Sequence, residues 1–129
     1  MRSANSWFAG RVRRSRRSRW RYVDNAYEDG TLAKFTTSFD PSWGKTKAVH
    51  RPVPGNHEYL TANAAGYYGY YGAQAGDPTK GYFSYDLGDW HLMALNGECN
   101  YIGGCSAGSP QEVWLRQDLA AHPNSCVLA

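Results

Sequence analysis

The chain has 129 residues, the length of one domain with a buried core, and carries 14 basic and 11 acidic side chains. The charges are segregated: residues 1–22 hold eight arginines and no acid, so the remainder carries six basic against eleven acidic groups, a net of −5. No apolar run approaches the roughly 18 residues of a membrane span, and Met1-Arg2 is not followed by the apolar segment of a secretory signal.

Residues 1–22 read as an irregular basic arm. The run "GRVRRSRRSRWR" repels itself and offers nothing to bury. It can be read as a nucleic-acid-binding arm, with arginines on phosphates and Trp20 or Tyr22 stacking on bases. It can equally be a disordered tail or sequence foreign to the domain, and the lack of a surrounding nucleic-acid-binding motif favours that reading.

Residues 23–129 form the domain proper. In "YVDNAYEDGTLAKFTTSF" a strand end and a polar turn lead into a helix, with Asp29-Gly30-Thr31 as its start and Leu32, Phe35 and Phe39 on one face. "DPSWG" (40–44) is expected to break that helix, because Pro41 and Gly44 both punctuate. "KAVHRPVPGNHEY" reads as extended chain running into a loop, and "AGYYGYYGAQAG" as a structured loop with a short helix.

"GYFSYDLGDWHLMALN" predicts two strands around Leu87-Gly88-Asp89. "SPQEVWLRQDLAAH" predicts a helix capped by Ser109, with Pro110 first, Glu112 third, and an apolar face of Val113 or Trp114, Leu115 and Leu119. "CVLA" starts a further strand. Cys99 and Cys105 enclose a short glycine loop without further zinc ligands nearby, which favours a local disulfide and an oxidising compartment. Cys126, beside Val127 and Leu128, reads as a buried free thiol. Alternating strands and helices give a layered α/β class.

Two polar clusters fall where strands end, "VDNAYEDG" (23–30) and "PGNHEY" (54–59). Asp24, Tyr27, Asn56 and His57 offer carboxylate, phenol, amide and imidazole groups, a set suited to manganese, iron or zinc. The same residue types also build ordinary hydrogen-bonded turns. His91 reads as a satisfied strand histidine, and His122 as a histidine at a helix C-terminus.

"GNHE" at 55–58 and "DNAY" at 24–27 resemble motifs of the calcineurin-like metallophosphoesterases, in the form found in purple acid phosphatases. "YFSYDLGDWHLMALN" and "SPQEVWLRQDL" resemble the strand pair and helix that follow in that superfamily, so the likeness spans about residues 22–129. It implies a four-layer α/β/β/α sandwich with mixed sheets, and hydrolysis of phosphate esters at a dinuclear centre of iron with iron, zinc or manganese. In that centre Asp24 would bridge the metals, Tyr27 would ligate the ferric ion and Asn56 the second metal. His57 would face the phosphoryl group and protonate the leaving oxygen, and Glu58 would orient its neighbours. Two cations so placed neutralise phosphate charge and hold a hydroxide in line.

There are departures. Val23 stands where the family has glycine, residues 1–22 contain neither Asp nor His, and the family's later histidine motifs have no counterpart here. Three matched ligands fall short of the roughly six to eight protein donors of the family's dinuclear site. The expectation is a fragment truncated at both ends and inactive alone, whose parent acts on a phosphate ester and not at a membrane.

Overall fold

A computed structural model describes residues 24–123 and 125–129 and the backbone of residues 19–21. The rest of the arginine arm, and with it the nucleic-acid reading, lies outside the described residues. Arg19–Arg21 form a strand, β1, paired in parallel with β2, His50–Pro52. The composition had assigned these residues to the irregular arm. Ladder bonds are made by the backbone, so an arginine-rich segment can still add to a strand edge.

After the turn at 24–30, Thr31 caps α1, Leu32–Lys34, by accepting the Lys34 N–H, while Asp29 in turn accepts the N–H and hydroxyl of Thr31. The helical path does not stop at Asp40-Pro41 as expected. It opens into a π-turn over Phe35–Phe39 and continues as α2, Asp40–Trp43, then as a 3₁₀ stretch, Gly44–Val49. The Asp40 N–H reaches back to the Phe35 carbonyl, so the widened turn places Pro41 in the first turn of the next segment. A missing N–H costs little there.

Phe35 and Phe39 are buried as their spacing predicts, whereas Leu32 is exposed. They join Tyr67, Tyr70 and Tyr71 of α3, Ala65–Tyr71, in an aromatic core. Phe35 stacks on Tyr70 at 5.0 Å and meets Phe39 edge-on at 5.5 Å. Offset and edge contacts of this kind add about 0.5–1.5 kcal/mol per pair beyond the area buried.

The second half of the chain is a three-stranded mixed sheet of order β3-β4-β5. β3, Phe83–Leu87, and β4, Trp90–Ala94, form the expected antiparallel hairpin around Gly88-Asp89. β5, Cys126–Leu128, runs parallel to β4 after the crossover through α4, Pro110–Ala121. Cys126 is exposed, correcting the buried thiol: β5 is an edge strand with all three residues open to solvent.

Ser109 caps α4 as expected, but Glu112 accepts the N–H of Gly108 instead of closing the box on Ser109. The inward face of α4 also differs from the apolar one predicted. Val113 and Leu119 are exposed; Gln111, Trp114, Leu115, Asp118 and His122 turn toward the sheet side. Gln111 is buried because its amide satisfies both backbone groups of Asn96, accepting its N–H at 2.8 Å and donating to its carbonyl at 3.0 Å. The Asn96 side chain donates to the Tyr59 hydroxyl at 2.8 Å, and Tyr59 stacks on Tyr101 at 4.1 Å, which joins the sheet to the aromatic core. Cys99 and Cys105 are disulfide-bonded, closing the loop between β4 and α4. Among the described residues no helix is long and apolar enough to cross a membrane.

Candidate functional site

The two polar segments singled out in the sequence meet in space, and Glu58 is what joins them. Its carboxylate is fully buried and accepts the backbone N–H of Asn25 at 2.8 Å, of Ala26 at 2.9 Å and of Gly55 at 2.8 Å. A buried carboxylate holding three amide hydrogens is strongly favoured over one left bare. The Asn25 side chain completes the seam by donating to the Val53 carbonyl at 3.1 Å.

Glycines allow the close approach. A Cβ on Gly55 would fall 2.4 Å from Asp24 Oδ1, and one on Gly30 would fall 2.5 Å from the Glu58 Cα. Gly30 also has φ +62°, a conformation that costs other residues strain.

Asp24 sits on this seam. Its Oδ1 accepts the backbone N–H of His57 at 3.1 Å, and its Oδ2 accepts the Tyr27 hydroxyl at 3.2 Å and lies 4.0 Å from His57 Nε2. The Tyr27 and His57 rings lie 4.7 Å apart. Asp24 raises the Tyr27 pKa, first by the hydrogen bond and then by its charge, so without a cation the phenol keeps its proton. His57 Nδ1 makes a short hydrogen bond to the Glu28 carbonyl. A carbonyl only accepts, so Nδ1 carries hydrogen and Nε2 is the atom presented toward Asp24. Asn56 lies on the same turn with its side chain exposed.

The structure therefore brings Asp24, Tyr27 and His57 into one surface corner, with Asn56 beside them. The corner offers one carboxylate, one phenol, one amide and one imidazole. Among the described residues no group of three histidine, cysteine or carboxylate donors gathers here. Such a gathering lies elsewhere, at Asp86, His91 and His122, where one donor atom from each falls within 4.8 Å of the others. His91 is buried and satisfied, as its strand position suggests, with Nδ1 2.7 Å from Asp86 and Nε2 2.6 Å from Asp118. His122 does lie at the C-terminus of α4 and also stacks on His91, ring centroids 3.7 Å apart. Sequence reading took these two histidines one at a time. The signal it passed over is the i, i+4 pair Asp118 and His122 on the helix that crosses over β4.

No protein-family model, no curated protein and no solved structure matches this chain.

Proposed function

We propose that the Asp24–Tyr27–Asn56–His57 corner belongs to a metal-dependent phosphate-ester hydrolase of the calcineurin-like, purple acid phosphatase-like kind. The observation that supports this reading is the Asp24 carboxylate. One of its oxygens accepts the His57 N–H and the other the Tyr27 hydroxyl, so residues from two motifs serve one anionic group. In this reading Asp24, Tyr27 and Asn56 supply ligand atoms and His57 Nε2 moves a proton at the phosphate ester. Further donors are needed for a second cation. The mixed sheet and its crossover helix are then parts of a four-layer α/β/β/α sandwich, and the Cys99–Cys105 bond fits an oxidising compartment.

Ferric ion provides the test, because phenolate-to-iron charge transfer gives a visible absorption band. Added Fe(III) should produce the band in the full chain, and Tyr27→Phe or Asp24→Asn should abolish it. A chain that develops no band, or a band indifferent to both substitutions, would remove the basis of the proposal. With these donors alone, p-nitrophenyl phosphate turnover in added manganese, iron or zinc should stay at background. Turnover that His57→Ala abolishes would show that fewer ligands suffice.

A further inference from the structure

The histidine cluster between the hairpin and α4 has no part in the phosphate-ester reading, yet it gathers three donor side chains in one place. The β3–β4 register pairs Asp86 with His91, and α4 lays Asp118 and His122 over the same place. Asp118 is fully committed: Oδ1 accepts the Ser84 hydroxyl at 2.8 Å, Oδ2 meets His91 Nε2 at 2.6 Å, and its backbone carbonyl meets His122 Nδ1 at 2.8 Å.

These partners fix which ring nitrogens can ligate. A carbonyl only accepts, so His122 Nδ1 carries hydrogen; His91 has a carboxylate oxygen on each ring nitrogen, Asp118 on Nε2 and Asp86 on Nδ1, so without a metal both of its nitrogens carry hydrogen. A metal would therefore meet a lone pair on His122 Nε2 and would have to displace the Nδ1 proton of His91, while His91 Nε2 stays on Asp118. His91 Nδ1 and the Asp86 carboxylate lie 2.7 Å apart with the Nδ1 proton between them. A metal that replaces this proton would take over its place as the positive partner of both groups, once Asp86 has drawn back to make room. Carboxylate and carbonyl partners on the far nitrogens of ligating histidines are the usual outer support of zinc sites.

We propose that Asp86, His91 and His122 bind a divalent transition-metal cation of the zinc type, with Asp118 positioning both imidazoles from outside. Two imidazoles and one carboxylate, with the fourth position left to water, match zinc's preferred donors and coordination number. Tetrahedral bonds of about 2.0–2.1 Å set donors about 3.3 Å apart, so binding must spread the His91–Asp86 pair from 2.7 Å and close any pair near the 4.8 Å limit. The two outer members are the less buried ones. The Asp86 side chain is 69% exposed on the hairpin, and His122 is half-buried where α4 ends. His122 must also turn, because rings stacked 16° from parallel cannot both aim their lone pairs at one ion.

The test is calorimetric titration of the full chain with Zn²⁺, alongside nitrogen-detected NMR of the histidine rings. One equivalent should bind at this cluster, apart from any taken up at the Asp24 corner, with shifts at His91 Nδ1 and His122 Nε2. Asp86→Asn and His122→Ala, both at accessible positions, should each weaken binding at least tenfold while circular dichroism stays unchanged. Asp24→Asn should leave this binding intact, which separates it from the phosphate corner. Affinity unchanged in both Asp86→Asn and His122→Ala would overturn the site, as would His91 and His122 resonances that ignore saturating zinc.

Discussion

The carboxylate of Glu58 accepts the backbone N–H of Asn25 across 33 residues of sequence, at 2.8 Å and out of contact with water. Together with its bonds to Ala26 and Gly55, this is what brings the two polar segments to one place. Glu58→Ala would leave three amide donors without their acceptor and is expected to cost about 3–5 kcal/mol. Glu58→Gln keeps the volume but turns an N–H₂ toward donors, so it should also destabilise. Urea unfolding at neutral pH reads both. A loss below about 1 kcal/mol in each would mean that the segments are held by something else.

Gly55→Ala probes the same seam by sterics. The added methyl would sit 2.4 Å from Asp24 Oδ1 and 3.0 Å from the Asp24 backbone nitrogen, so the carboxylate must move. The expected cost is about 1–3 kcal/mol, the range for forcing a group into a filled site. The ferric–phenolate band should weaken with it, and a variant with native stability and a native band would contradict the geometry.

The aromatic core makes the fold sensitive to alkali. Burial holds the Tyr67, Tyr68 and Tyr70 hydroxyls well above the ordinary value near 10, and Asp40 adds to the effect at Tyr70. The folded state therefore keeps protons that the unfolded chain releases, and stability should fall as pH rises through about 10. Tyrosinate absorbance and far-ultraviolet circular dichroism should change together. Smooth ionisation of all ten tyrosines with the dichroism unchanged would refute this.

Gln111 is a buried polar residue on a helix face that would ordinarily be apolar. Gln111→Leu keeps the bulk and strands the N–H and carbonyl of Asn96, which Gln111 now satisfies. The variant should lose about 2–3 kcal/mol, and the Asn96 amide should exchange with solvent faster than in the parent. Equal exchange rates would show that the Asn96 amide does not depend on Gln111.

Features set by local chemistry were readable in the sequence. The β3–β4 hairpin, the Ser109 cap, the Cys99–Cys105 bond and the burial of Phe35 and Phe39 each follow from neighbouring residues. The proximity of Asp24 to His57 came from matching motifs, since nothing in the spacing of residues 24 and 57 demands it. Features decided across the fold were missed. The continuation past Pro41 depends on the π-turn before it, and the predicted α4 face holds only for Trp114 and Leu115, because Gln111 and Asp118 are drawn in by their hydrogen-bond partners while Val113 and Leu119 stay exposed. Cys126 was misjudged because an apolar neighbourhood in sequence says nothing about lying on a sheet edge.

The bond from the Asn96 amide to the Tyr59 hydroxyl has a thermodynamic consequence. It spans the boundary between two parts of the molecule, the aromatic core that carries the Asp24 corner and the sheet that carries His91. A cation that binds only the folded form of one part stabilises that part by mass action. Whatever protection reaches the other part must pass through contacts such as this bond and the Tyr59–Tyr101 stack beside it. Tyr59 is thus one point at which the local stabilities of the two halves are coupled, beside the Arg51 guanidinium over the Tyr85 ring, and Tyr59→Phe keeps the ring while removing its hydroxyl bond.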